Sequence, residues 1–220
     1  ISKKNIGNFG LAGSFSFYWG HHMSTIEGGM ITTNDKKFYN LCLLKRSHGL
    51  ARELPSKDQA FFKKKFKKRN FKFLFVSDGF NLRSTEINAF IGLMMLKKIN
   101  KWIQIRNKNY YNFIRILEKY KKNFIIAKKN NISSFVLPFL MYNRNQKNKL
   151  EKRLNSNGIE TRPFIAGNLL SQPFLKSKFS NKNKFNSNFI DNNCFYIGNN
   201  QFVNNSRLKK LEKILDKFFL

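Results

Sequence analysis

An α/β layer fold, or its α+β variant, is what the sequence predicts, and three features carry that expectation. The apolar residues Ile87, Phe90, Ile91, Met94, Leu96 and Ile99 recur at helical spacing. From Phe124 onward, short strand-sized runs alternate with polar-faced helical ones and end in an amphipathic stretch over 206–220. With 41% hydrophobic and 15% aromatic residues, the 220-residue chain can bury the core of one ordinary domain or most of a two-layer subunit.

The first element is a β-like run over 14–18, followed by a second short strand over 29–33. That strand ends at Asn34-Asp35, a pair suited to cap a helix over 36–47. Residues 52–74 read as a long, charged, poorly patterned connection. Ser84 suits the N-cap of the 87–99 helix, although Ile87 three residues later completes no capping box. The helical pattern continues, with a bend, toward Tyr120. Beyond it come a strand over 135–141, a helix over 145–157 stopped at Gly158, and a second strand over 160–164. Residues 176–188 are a Lys/Asn/Ser-rich loop before the terminal helix, and no internal repeat is visible.

The formal net charge of +30 points toward nucleic acid or an anionic surface. Two observations argue for background instead. Lysine greatly outnumbers arginine and accompanies many Asn, Phe and Ile residues, all of which use A/T-rich codons. The basic residues also scatter along the chain, and the densest run, KKKFKKR at 63–69, reads as a solvated loop or helix face. No nucleic-acid partner is therefore expected. No apolar run approaches the roughly 20 residues of a membrane span, and no apolar core follows Lys3 and Lys4 to make a signal peptide. Cys42 and Cys194 have neither CxxC spacing nor a neighbouring His cluster, so no metal site or disulfide is expected, and a reducing cytoplasm fits.

Four segments have a residue order that packing does not demand: SFSFYWGHHMSTIEGGMITTND at 14–35, LLKRSHGLARE at 43–53, GFNLRSTEINAFIGL at 79–93 and GIETRPFIAGN at 158–168. With FYIGN at 195–199, they resemble the DegT/DnrJ/EryC1/StrS family of fold-type-I, pyridoxal-phosphate-dependent enzymes acting on sugar nucleotides. The resemblance runs from about Asn8 to the C-terminus. It implies that residues 1–100 are the C-terminal part of the large coenzyme-binding domain and residues 101–220 the small C-terminal α/β domain. The family's acidic partner of the pyridine nitrogen precedes the SFSF strand, so the resemblance also implies that these residues do not hold the coenzyme unaided.

In the family, a lysine between the SFSF strand and the Glu-Gly-Gly stretch bonds the coenzyme covalently. Register from Ser16 and from Glu27-Gly28-Gly29 places that position on His21, with His22 the adjacent rival. An imidazole cannot form a Schiff base, so the resemblance implies a coenzyme held non-covalently as pyridoxamine 5′-phosphate, interconverting with pyridoxal 5′-phosphate. His21 is then free as a base, and an unperturbed imidazole pKa near ~6.5 suits that work. Within the family, Lys-to-His at this site marks the sugar 3-dehydratases. The implied reaction removes the C3 hydroxyl of GDP-linked 4-keto-6-deoxymannose, with L-glutamate restoring the coenzyme amine. A sugar aminotransferase would need lysine at position 21. An iron–sulfur dehydratase would need clustered thiolates, which two distant cysteines do not supply.

The resemblance assigns further roles. Ser16 would bind the coenzyme phosphate, and Asn81 would reach across a homodimer interface to the neighbour's phosphate. His48, Arg52 and Arg83 would line the shared substrate site, where guanidinium groups suit a diphosphate. Glu160 and Arg162 flank Thr161 and so share a strand face; they would contact the sugar and the amino-acid donor. Each residue also has a plain reading: a buried histidine, a strand serine, a turn asparagine, solvated surface residues, a surface ion pair. Two further classes stand beside the enzyme, a basic binding protein and an inactive remnant kept for dimer contacts.

Overall fold

The computed structural model describes residues 5–127, 133–165, 167–176 and 185–220, and the chain divides into two compact units, Ile1–Lys97 and Lys98–Leu220.

In the first unit, β1 (Gly13–Ser16) pairs antiparallel with β2 (Gly29–Thr32), Ser16 opposite Gly29. Helix α1 (Lys36–Arg46) starts at Asp35, whose carboxylate accepts from the Phe38 N–H at 2.6 Å. Lys45 and Arg46 in its last turn complement the negative end of the helix dipole. The stretch 52–74 departs from the unpatterned connection expected. A 3₁₀ turn at Ala51–Glu53 leads into α2 (Ser56–Lys65), and a second turn follows at Phe71–Phe73. Helix α2 buries none of its residues, so no apolar stripe announces it in the sequence. Its lysines lie over aromatic rings instead, Lys63 4.6 Å from the Phe71 centroid and Lys65 5.5 Å from that of Phe66. Helix α3 (Glu86–Leu96) is capped by Thr85, not Ser84: Thr85 and Asn88 form a reciprocal capping box with Asn in place of the usual Glu or Gln.

The second unit opens with α4 (Ile99–Glu118), so the expected bend is a break at Lys97-Lys98. Arg106, Asn109, Tyr110, Phe113, Ile114 and Leu117 make one buried face at helical spacing. Strand β3 (Val136–Leu140) is followed by α5 (Arg144–Ser156), capped by Asn143 and stopped at Gly158, whose φ of +74° suits a residue without Cβ. Strand β4 shrinks to Arg162–Pro163, because proline has no N–H to extend a ladder. The short α6 (Pro173–Lys176) and α7 (Phe185–Asn193) replace both ends of the loop expected over 176–188; its residues 177–184 lie outside the described ones. Strand β5 (Cys194–Gly198) and α8 (Asn205–Phe219) complete the chain.

The sheet order is β3-β5-β4, all antiparallel, with prolines 138 and 163 on the two edge strands. The central β5 is buried along Cys194–Ile197, which explains its continuous apolar run. Phe139 and Phe195 face each other in register with rings stacked at 4.6 Å, and Phe113 meets Phe139 edge-on. Asn199, from the FYIGN motif, donates to the Arg106 and Ser134 carbonyls at 3.1 and 2.9 Å, tying α4 to the end of β5. Helices α4 and α8 are joined by Lys119–Glu212 and by the Tyr120 hydroxyl donating to Asp216. Both sheets are antiparallel, so the α/β layering arises without parallel crossovers.

Candidate active site

Six of the eight residues singled out in the sequence lie in the first unit, at three places. Ser16 ends β1, and its hydroxyl accepts from the Tyr18 N–H at 3.3 Å. The chain then makes a closed loop over 17–28 before β2. Phe17 N–H donates to the Gly28 carbonyl and Thr25 N–H to the Phe17 carbonyl, both at 2.8 Å, so the loop's two ends are tied together. His21 stands at its exposed tip, its N–H donating to the Tyr18 carbonyl at 3.0 Å and its ring edge-on to that of Tyr18. Ile26, in the same loop, has φ +72°, an uncommon state for a β-branched residue.

The second place is built from two segments running side by side. Phe80 and Leu82 N–H groups donate to the Lys45 and Arg46 carbonyls at 2.7 and 2.9 Å, and His48 N–H donates to the Phe80 carbonyl at 2.8 Å. A β-bridge pairs Ser47 with Asn81. The end of α1 thus brings His48 beside the segment that carries Asn81 and Arg83. His48 is left-handed, φ +61°, a state that histidine tolerates better than most side chains. Two glycines make this approach possible. A Cβ on Gly49 would sit 1.8 Å from the Ser77 carbonyl oxygen, and one on Gly79 2.4 Å from the Gly49 nitrogen. Beside them, the bonded Lys45 ammonium holds the Asp78 carboxyl below its ordinary pKa.

Arg83 also lines a cavity of about 820 Å³ in this unit, with Ser14, Glu27, Gly29, Arg46 and Asn88 among the walls. Ser14, Glu27, Arg46 and Asn88 were not singled out from sequence; they belong to the motif segments but carry no distinctive spacing of their own. Arg52 is tied locally: it donates to the Lys72 carbonyl at 2.8 Å and its guanidinium lies 5.6 Å from the Phe73 ring centre. Glu160 and Arg162 belong to the second unit. They pair with each other at 2.9 Å, both exposed, and Glu160 precedes β4 rather than sharing it with Arg162. Among the described residues, no group of three or more His, Cys, Asp or Glu side chains is placed to hold a metal ion. No helix there is long and apolar enough to cross a membrane.

Two units that each combine helices with an antiparallel sheet, with these motifs spread over their strands, helices and turns, define a class of protein. The sequence profile of the DegT/DnrJ/EryC1/StrS aminotransferase family matches residues 1–212, and the chain belongs to that family. Within it, the chain is 32% identical over 220 residues to the GDP-4-keto-6-deoxy-D-mannose 3-dehydratase of Escherichia coli O55:H7, covering 98% of this chain and 57% of that one. A crystal structure of GDP-4-keto-6-deoxymannose-3-dehydratase with a trapped PLP-glutamate geminal diamine superposes with a TM-score of 0.83 at 30% identity, covering 98% and 57%. A mutant of that enzyme with bound GDP-perosamine gives 0.80 at 31% identity, covering 95% and 55%. The chain thus spans a little over half the length of the relatives it matches.

The cavity wall suits a phosphorylated pyridine coenzyme: Ser14 offers a hydroxyl, Arg46 and Arg83 cations, and Gly28-Gly29 backbone free of side chains. No lysine occurs between Asn5 and Asp35, the stretch that spans β1, the closed loop and β2.

Proposed function

We propose that this chain carries part of the active site of a pyridoxamine-phosphate-dependent sugar-nucleotide 3-dehydratase acting in dideoxysugar and lipopolysaccharide synthesis. The observation that carries the reading is His21 at the tip of the closed loop between β1 and Glu27-Gly28-Gly29, where the family places lysine. When bound in its pyridoxamine form, the coenzyme would supply an amine for the C4 ketone and a ring that can take up electrons. His21 removes the proton from the coenzyme's C4′ carbon as the C3 hydroxyl leaves. The sugar and glutamate are converted to the 3-deoxy-4-ketosugar, 2-oxoglutarate and ammonia. Ser16 binds the coenzyme phosphate, and Asn81 reaches the neighbour's coenzyme phosphate across a homodimer interface. His48, Arg52 and Arg83 serve the GDP-linked substrate, and Glu160 and Arg162 the sugar and glutamate. The first unit is then the end of the large domain, the second the small domain, and the enzyme works in the cytoplasm.

Covalent trapping tests the central residue without needing turnover. The full-length protein is incubated with pyridoxal phosphate, reduced with borohydride and mapped by mass spectrometry. The expected result is no phosphopyridoxyl adduct over 5–35 in the parent, and one at position 21 in the His21→Lys variant. Trapping in His22→Lys but not His21→Lys would move the base by one residue, and trapping in neither would overturn the reading.

A further inference from the structure

We infer that Asn88, on α3, is a positioning residue for the His21 loop, and that it ties the loop's geometry to the start of that helix. The inference rests on the reading of His21 given above.

The two ends of the Asn88 amide do different work. Its Oδ1 accepts from the Thr85 N–H at 3.3 Å and from the Thr85 hydroxyl, which completes the N-cap of α3. Its Nδ2 donates to the carbonyls of Thr25 and Glu27 at 2.6 and 3.2 Å. One planar group therefore holds the helix end and the returning arm of the loop at once. The same face of α3 continues the clamp one and two turns on, since residues 88, 92 and 95 are neighbours on a helix. A Cβ on Gly92 would stand 3.0 Å from Thr25 Cγ2, and the Ser24 N–H points at the Met95 sulfur at 3.4 Å.

Thr25 is the loop residue that receives this clamp. It is buried, its hydroxyl donates to the Glu27 carbonyl at 2.8 Å, and a Cβ on Gly28 would collide with its Oγ1. The left-handed Ile26 lies between the two carbonyls that Asn88 holds, at a backbone conformation unfavourable for a β-branched L-residue. Strain of that kind persists where neighbouring bonds impose it, and the Asn88 amide supplies two of them. The exposed tip carrying His21 is therefore fixed from behind and not by burial of its own side chain.

Three variants of the full chain separate the two ends of the amide. Asn88→Asp keeps the acceptor for Thr85 and puts a carboxylate against two carbonyls. Thr85→Val removes the cap and leaves the Asn88 donor in place. Asn88→Ala removes both. Amide hydrogen exchange is read over 17–28 and over the first turn of α3. In Asn88→Asp, loop exchange should rise about tenfold or more while the first turn of α3 stays protected. Thr85→Val should show the reverse, and Asn88→Ala both effects. Equal loosening of both segments in all three, or an unmoved loop in Asn88→Asp and Asn88→Ala, overturns the inference. In the assembled enzyme, kcat should fall more than KM changes in Asn88→Asp. A loosened loop with unchanged turnover overturns the positioning role, whereas failure of the His21 reading shows separately in the trapping experiment at position 21.

Discussion

The two units solve the same packing problem unequally. In the second, Phe113, Ile114, Leu117, Phe139, Leu150, Phe195, Leu211 and Leu215 are almost wholly removed from solvent around one sheet and three helices. In the first, the buried apolar set is a small group around Leu44, Leu50, Ala51, Leu54 and Leu74. Phe15, Met30, Ile31, Ile87, Phe90, Leu93 and Met94 stay exposed in the chain, and Gly92 is the one buried residue of α3. Apolar content is therefore not what distinguishes the units. The second holds together through its own side chains. The first depends more on backbone hydrogen bonds, caps and glycine contacts, and it is the one that carries the loops of the proposed coenzyme site.

Core truncation should expose that difference most strongly. Phe139→Ala removes a ring that touches Phe113, Phe124 and Phe195 and should destabilise the second unit by about 3–5 kcal/mol in denaturant melts. Phe90→Ala in the first unit should stay within about 0.5 kcal/mol, because its side chain is already 65% exposed. Similar losses from both would break the comparison. A smaller effect is expected at the proposed site. Asn81→Ala should weaken coenzyme binding by about 1.5–3 kcal/mol through a lost hydrogen bond to a charged phosphate, with little change in melting of either unit. Mixing full-length His21→Ala with full-length Asn81→Ala/Arg83→Ala should restore part of the turnover if sites are shared between subunits.

The units should also respond to opposite ends of the pH scale. In the first, Lys36 and Lys45 hold Asp58 and Asp78 below the ordinary carboxylate value of 3.8. Lowered folded pKa values give stability that is present above pH 3.8 and lost as pH falls below it. In the second, burial raises Cys194, Tyr110 and Tyr120 above 9.0 for the thiol and 10.0 for the phenols, and hydrogen bonding to Asp216 adds to the shift at Tyr120. Raised values give stability that is complete below pH 9 and lost as pH rises through the folded values. Hydrogen exchange should therefore rise around 45–49 and 78–82 in acid and along α4 and α8 in alkali. The smallest effect is expected at a pair within one helix. Lys147→Ala removes an i,i+4 contact with Glu151 and should cost the second unit about 0.3–0.5 kcal/mol.

What the sequence made legible follows the same division. The Asp35 cap, the Gly158 stop, β3 and α8 were readable because each rests on local chemistry or on an apolar period that the fold uses. Helix α2 was not, because it buries nothing and its Phe61 and Phe62 share the helix surface with lysines rather than forming a stripe. The α3–α4 break passes through Lys97-Lys98 with neither Gly nor Pro to mark it. Pro163 cut short a strand that alternation alone had extended. At the site, His21 stood out only against the family frame. The function inferred for Asn88 had no signal at all, since its partners at 25 and 27 are distant in the chain.

The contact between Gly49 and Gly79 sets a rule for how this chain can change. Each glycine excludes a methyl group because of backbone atoms in the other's segment, Ser77 for one and His48-Gly49 for the other. A single substitution at either position must push apart the strands that set His48 beside Asn81, and no side chain is available to move aside. Variation can reach the residues around the two glycines one step at a time, but it can reach these two only if both segments are rebuilt together.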